Sequence, residues 1–96
     1  MKIELNKNGS ELCLAIEGRL DTVTAPELES LLIENCKEAS SLIIDCKDLI
    51  YVSSAGLRVL LTAHKKMKGA MKLKNVSELV MEVFEMTGFV DILVIE

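Results

Sequence analysis

The chain has 96 residues, half of them hydrophobic and 27% charged, which is one domain's worth of globular polypeptide and excludes both a disordered segment and a two-domain enzyme with an interdomain cleft. Eleven basic against 15 acidic residues leave a net charge of −4, so no general attraction to nucleic acid or to anionic lipid is expected. The aromatic residues are only Tyr51, Phe84 and Phe89, too few for a platform that stacks bases or sugars.

Lys2 to Lys7 and Glu11 to Gly18 alternate apolar and polar side chains around Asn8-Gly9, a dipeptide that accepts the positive φ angles of a tight turn, so the chain is expected to open as a β-hairpin. Thr24-Ala25-Pro26-Glu27 has the form of a capping box with proline in the first turn. The helix it starts carries Leu28, Leu31, Leu32 and Cys36 at helical spacing. Ser41 to Cys46 encloses Leu42, Ile43 and Ile44, a short continuous apolar run that predicts an interior strand covered on both sides.

Ile50, Tyr51 and Val52 lead to a second break at Ser53-Ser54-Ala55-Gly56. Leu57, Leu60, Leu61 and His64 then recur at helical spacing, which predicts an amphipathic helix to about Lys68 ending at Gly69. Ala70 to Lys74 reads as a short strand. Ser77 caps a further helix with Leu79, Val80, Val83 and Phe84 on its apolar stripe, Gly88 ends it, and Asp91 to Ile95 closes as a strand. The order is ββαβαβαβ, one α/β domain over residues 1–96 with a mixed sheet and helices layered on it.

Charge is unevenly placed along this framework. Arg58, Lys65, Lys66, Lys68, Lys72 and Lys74 fall in a stretch without an acid, whereas Asn75 to Glu96 holds five acids and no base. Such runs mark either a solvated helix face or a docking patch. Cys13, Cys36 and Cys46 have no CxxC spacing and only His64 to join them, so neither a metal site nor a disulfide framework is expected, and they read as small buried hydrophobes. No apolar run approaches the roughly 20 residues that span a bilayer, and no leader pattern opens the chain, so a cytoplasmic protein without membrane insertion is the expectation.

Catalytic signatures are missing. No GxSxG, GxxxxGK[ST] or GxGxxG pattern and no characteristic pair of carboxylates is present. A serine nucleophile needs a base within hydrogen-bond reach, yet His64, ten residues beyond Ser54 on one helix, lies about 15 Å from that helix's start at 1.5 Å per residue. What remains is Ser53-Ser54, at the point where a strand exits and a helix begins. A serine there caps the helix by accepting from a free backbone amide. The same free amides and the positive end of the helix dipole equally favour a phosphate attached to the serine. Such a phosphate adds roughly −1.5 to −2 charges and reverses the surface's attraction for a partner.

Val52-Ser53-Ser54-Ala55-Gly56-Leu57-Arg58-Val59-Leu60-Leu61 after Asp48-Leu49, together with Glu17-Gly18-Arg19-Leu20-Asp21 and Met86-Thr87-Gly88-Phe89, resembles the STAS domain. More closely, the chain is similar over essentially its whole length to the small stand-alone anti-sigma-factor antagonists of bacteria. The resemblance implies a STAS-like fold and a binding module rather than an enzyme, with no cofactor, metal or catalytic residue. It implies that Ser54 is phosphorylated by an anti-sigma-factor serine kinase using ATP and dephosphorylated by a PP2C-like phosphatase. Only the unphosphorylated form then sequesters the kinase and releases the sigma factor, which regulates transcription without direct contact to nucleic acid.

By the same resemblance Asp21 lies close to the serine loop and, with Ser53, Ser54, Ala55, Gly56, Leu57 and Arg58, forms the partner-binding surface, Gly56 admitting the partner's backbone. Ser53 stands where many relatives carry Asp, which leaves two candidate hydroxyls, Ser54 first by motif register and Ser53 second. Arg58 is placed to contact a phosphate or a partner carboxylate, or else is simply solvated. A fixed STAS scaffold within a transporter or sensory complex is the alternative use of the same fold.

Overall fold

In the computed structural model, which describes all residues 1–96, β1 (Lys2–Asn8) and β2 (Glu11–Leu20) form the expected antiparallel hairpin. The register pairs Asn8 with Glu11, so the two loop residues are Gly9 and Ser10, one position later than the sequence suggests. Gly9 takes φ +65 while Ser10 stays at ordinary φ, the pattern of a type II′ turn with glycine first.

From β2 onward the chain adds strands in sequence order, β1-β2-β3-β4-β5, with β3 (Ser41–Val52), β4 (Met71–Lys74) and β5 (Val94–Ile95) all parallel to β2. Because every crossover steps the same way across the sheet and parallel crossovers are right-handed, α1 (Ala25–Asn35), α2 (Ser54–Lys66) and α3 (Glu78–Thr87) lie on one face. Burial agrees. Leu12, Leu42 and Met71 stand in register and are buried, as are Leu14, Ile44 and Leu73. They join Leu28 and Leu32 of α1, Leu57, Leu60 and Ala63 of α2, and Val80 and Phe84 of α3 in a single aliphatic core. Each fully buried side chain of this size contributes about 1.5–3 kcal/mol.

The opposite face of the sheet has no helical layer. Cys13, Ile43 and Lys72 share that face by register, and Ile43 is half-buried. The expectation of a β3 covered on both sides is therefore corrected: the run Leu42-Ile43-Ile44 mixes two core residues with one that faces outward. β3 is also longer than expected, continuous through Ile50–Val52. Two register shifts against β2, between Ala15 and Glu17 and between Gly18 and Arg19, change its burial spacing from two residues to three. Cys46, Leu49 and Val52 are buried, leaving Ile50 and Tyr51 exposed together.

The capping box sits one turn earlier than Thr24–Glu27. Thr24 makes no side-chain cap to α1. Instead Asp21 Oδ1 accepts from the amides of Val23 (3.0 Å) and Thr24 (3.1 Å), and Thr24 Oγ1 accepts from the Asp21 amide (2.9 Å). This is the reciprocal arrangement of a capping box spelled Asp21-x-x-Thr24, on the turn that runs into α1. α2 stops at Lys66 with Met67 as C-cap, slightly before the expected Lys68. Ser77 Oγ caps α3 by accepting from the Val80 amide, and Gly88 closes it. The last strand is shorter than Asp91 to Ile95, because Phe89–Asp91 form a 3₁₀ turn and only Val94–Ile95 pair with β4. Of the cysteines only Cys46 is buried; Cys13 and Cys36 are half-exposed.

Candidate functional site

The ends of β2 and β3 bring the singled-out residues together. Arg19 faces Tyr51 and Leu20 faces Val52 across the parallel ladder, so Asp21 and Ser53 leave the sheet side by side. The Ser53 amide donates to Leu20 O at 2.8 Å, extending the pairing by one bond before the chain turns into α2.

The two serines have different surroundings. Ser53 is extended (φ −92, ψ 176) and half-buried; its Oγ accepts from the Gly56 amide at 3.4 Å and its carbonyl from the Leu57 amide at 2.9 Å. It is the N-cap of α2. Ser54 is the first residue of the helix and is exposed to solvent. The cap is thus supplied by one hydroxyl while its neighbour is presented outward, a distinction that sequence alone does not draw.

Gly56 and Leu57 are buried, Leu57 at 5% exposure. A Cβ on Gly56 would lie 2.7 Å from Leu20 Cγ and 3.0 Å from Leu20 O. The end of β2 is therefore itself a reason for glycine at position 56, apart from any approach of a partner's backbone. Leu57 likewise points into the core, so both residues position the loop instead of facing outward. Ala55 is half-buried against the core, and Arg58 is exposed.

Asp21 is bound into its own turn. The Thr24 amide, then the Val23 amide, the Thr24 hydroxyl and the Arg19 charge hold its carboxyl below the usual aspartate range, against a partial desolvation that raises it. Arg19 Nε lies 3.8 Å from Asp21 Oδ2, and its guanidinium stacks over the Tyr51 ring at 4.2 Å from the centroid. This Arg19–Tyr51 pair is absent from the sequence reading. Its signal is the strand register, which cannot be assigned until the two bulges in β3 are known.

No group of three or more His, Cys, Asp or Glu side chains is arranged to hold a metal, and no helix is long and apolar enough to cross a membrane. His64 is half-buried near the far end of α2 with Nδ1 unpartnered, and it lies on the same helix that begins at Ser54. At this end of the sheet Asp21 and Ser53 stand beside Arg19 and Tyr51, and the exposed Ser54 and Arg58 follow on the first turns of α2.

Residues 2–96 match the family model described as the STAS domain. The chain is 32% identical over 96 residues to the anti-sigma-B factor antagonist of Bacillus subtilis, covering 97% of this chain and 88% of that one. The crystal structure of an anti-sigma factor antagonist from Mycobacterium paratuberculosis superposes with a TM-score of 0.86 at 18% identity over 98% of this chain and 83% of that chain. SpoIIAA of Bacillus matches in its unphosphorylated form, with TM-score 0.80, 16% identity and coverage of 99% and 88%. It matches also in its phosphorylated form, with TM-score 0.75, 15% identity and coverage of 99% and 91%. The chain belongs to the STAS-domain family, and anti-sigma-B factor antagonists of Bacillus subtilis and Listeria monocytogenes are among the relatives that it matches at 30–32% identity.

Proposed function

We propose that this protein is an anti-sigma-factor antagonist whose binding is switched by phosphorylation of Ser54. The observation that carries the reading is the division of labour at the start of α2: Ser53 caps the helix, and the exposed Ser54 hydroxyl stands at its first turn. In the transfer, Ser54 Oγ attacks the γ-phosphorus of ATP on an anti-sigma-factor serine kinase. The bond from that phosphorus to the β–γ bridging oxygen breaks, ADP leaves, and the hydroxyl proton passes to a base of the kinase. A PP2C-like phosphatase hydrolyses the ester and restores the hydroxyl.

The unphosphorylated face, made by the serine loop and the exposed side of α2, captures the kinase and frees the sigma factor. The phosphorylated face repels it. At an effective dielectric of about 20, like charges about 4 Å apart cost roughly 4 kcal/mol. Even after strong screening, a tenfold to thousandfold loss of binding, roughly, follows. The start of α2 favours the added charge, since the first amides of a helix have no intrahelical partner and its dipole is positive at that end. Ser53 lacks the carboxylate that many relatives place before the acceptor. Its capping bond to the Gly56 amide makes it the poorer substrate of the two.

The test is to incubate the chain with ATP and an anti-sigma-factor serine kinase of the same organism and to locate the added mass by peptide mapping. One phosphate on the peptide containing Ser54 is expected, with none on a Ser54→Ala chain. Ser54→Asp is expected to stay folded and bind the kinase weakly, while Ser54→Ala binds constitutively. Equal binding by the two variants would leave a fixed scaffold in place of a switch.

A further inference from the structure

Ser54 and Arg58 are both exposed and lie four residues apart at the start of α2, where side chains at i and i+4 sit about 6 Å apart at Cβ. Helical side chains lean toward the N-terminus, so Arg58 leans over the turn that carries Ser54. The other arginine at this end of the molecule is already engaged: Arg19 is held between Asp21 at 3.8 Å and the face of Tyr51 at 4.2 Å. Arg58 is not. The ion pairs of the chain are Arg19–Asp21, Lys72–Glu96 and Lys74–Glu96, the first turn of α2 contains no acid, and none follows in sequence before Lys74.

We propose that Arg58 receives the phosphate of modified Ser54 within the same helix. Phosphorylation then withdraws from the docking face the guanidinium that, in the unmodified protein, pairs with a carboxylate of the partner. The inference rests on the phosphoserine reading above. A guanidinium offers a planar fork of donors that matches a phosphate's oxygens, and a phosphate dianion outcompetes a single carboxylate for it. In the unmodified chain Arg58 leads an outward stripe, continued by Thr62 and Lys65, that carries only positive charge. The partner surface it fits is acidic. Modification changes this stripe twice, adding a dianion at its head and cancelling its first cation, so the loss of binding does not come from repulsion alone.

The test uses the full chain with phosphoserine incorporated at position 54 by genetic encoding, which removes any need for the kinase. Titration of the phosphate by ³¹P NMR reads the contact directly. Its second ionisation, near 6 when unperturbed, is expected about half a unit lower in the chain with Arg58 than in Arg58→Gln, with Arg58→Lys between them. Circular dichroism of the same samples establishes that all three are folded. In the unmodified state Arg58→Gln is expected to weaken binding to the anti-sigma-factor kinase roughly tenfold. The further loss caused by the phosphate should be smaller in that variant than in the parent chain.

Coincident titration curves, or an equal factor lost to the phosphate with and without Arg58, overturn the proposal. These failures are separate from that of the switch itself. Coincident curves in a chain that the kinase does modify at Ser54 discard the role of Arg58 and keep the switch, whereas a kinase that never modifies Ser54 discards the switch.

Discussion

Leu20 and Gly56 are in direct apposition: the space a side chain on Gly56 would take is occupied by Leu20, whose Cγ lies 2.7 Å from the position of that Cβ. Since Leu20 is fully buried at the end of β2 and its carbonyl receives the Ser53 amide, the contact sets how closely α2 starts against the sheet. Gly56→Ala is expected to destabilise the fold by about 1–3 kcal/mol through overpacking. The urea midpoint should fall while the slope of the transition stays the same. An unchanged midpoint would mean that α2 shifts freely at this point.

The separate surroundings of the two serines predict opposite costs for the same substitution. Ser53→Ala removes the N-cap and is expected to lower stability by about 1 kcal/mol. Ser54→Ala removes an exposed hydroxyl and is expected to stay within about 0.5 kcal/mol of the parent. Chemical denaturation of the two variants side by side measures the difference, and equal losses would show that the cap is shared.

Asp21 gives the stability a pH dependence of known sign. Its folded carboxyl titrates below the ordinary value, chiefly because the Thr24 amide hydrogen-bonds the ionised form. The stabilisation is therefore present above the unfolded value, near 3.9, and is lost as the pH falls through the folded one. Asp21→Asn keeps an oxygen to cap the turn but no longer titrates. Between about pH 4 and pH 2 its melting temperature should fall less steeply than the parent's. Asp45 shifts in the same direction, through Asn75 and the Lys47 amide; it supplies a background common to both chains. Parallel curves would remove Asp21 as the source.

Burial pushes the Cys46 thiol up to about 12, with the nearby Asp45 charge adding to the effect. At pH 8 it is almost wholly protonated and shielded, so iodoacetamide is expected to modify Cys13 and Cys36 in the native chain well before Cys46. Adding urea past the transition should bring all three to comparable rates. Mass spectrometry of the alkylated peptides gives the order, and early labelling of Cys46 would contradict its place in the core.

Much of this architecture is readable from residue pattern because it rests on local rules. The hairpin at Asn8-Gly9-Ser10, the cap at Ser77 and the stop at Gly88 each depend on a few neighbours in sequence. β3 is harder to read from pattern because its burial period changes from two to three at the bulges, and a bulge is decided by the partner strand. The cap of α1 eludes residue pattern for a related reason. Thr24-x-x-Glu27 fits the sequence pattern of the box whereas Asp21-x-x-Thr24, with Thr in place of Glu or Gln, does not, and Thr24 is committed to the earlier turn by its bond to Arg19 O at 2.7 Å. At the site, Ser53, Ser54 and Asp21 were legible from motif and spacing. The burial of Gly56 and the Arg19–Tyr51 stacking were not, since each depends on the end of β2 lying beside the end of β3.

Leaving one side of the sheet without helices gives the molecule two unlike exteriors. The serine surface stands where strands give way to helix, whereas the bare side presents Glu4, Asn6, Ala15, Ile43 and Asp45 around a shallow depression. A large partner seated on the serine end need not cover that depression. Reporter groups attached at Asn6 are therefore well placed to follow such an encounter without obstructing it.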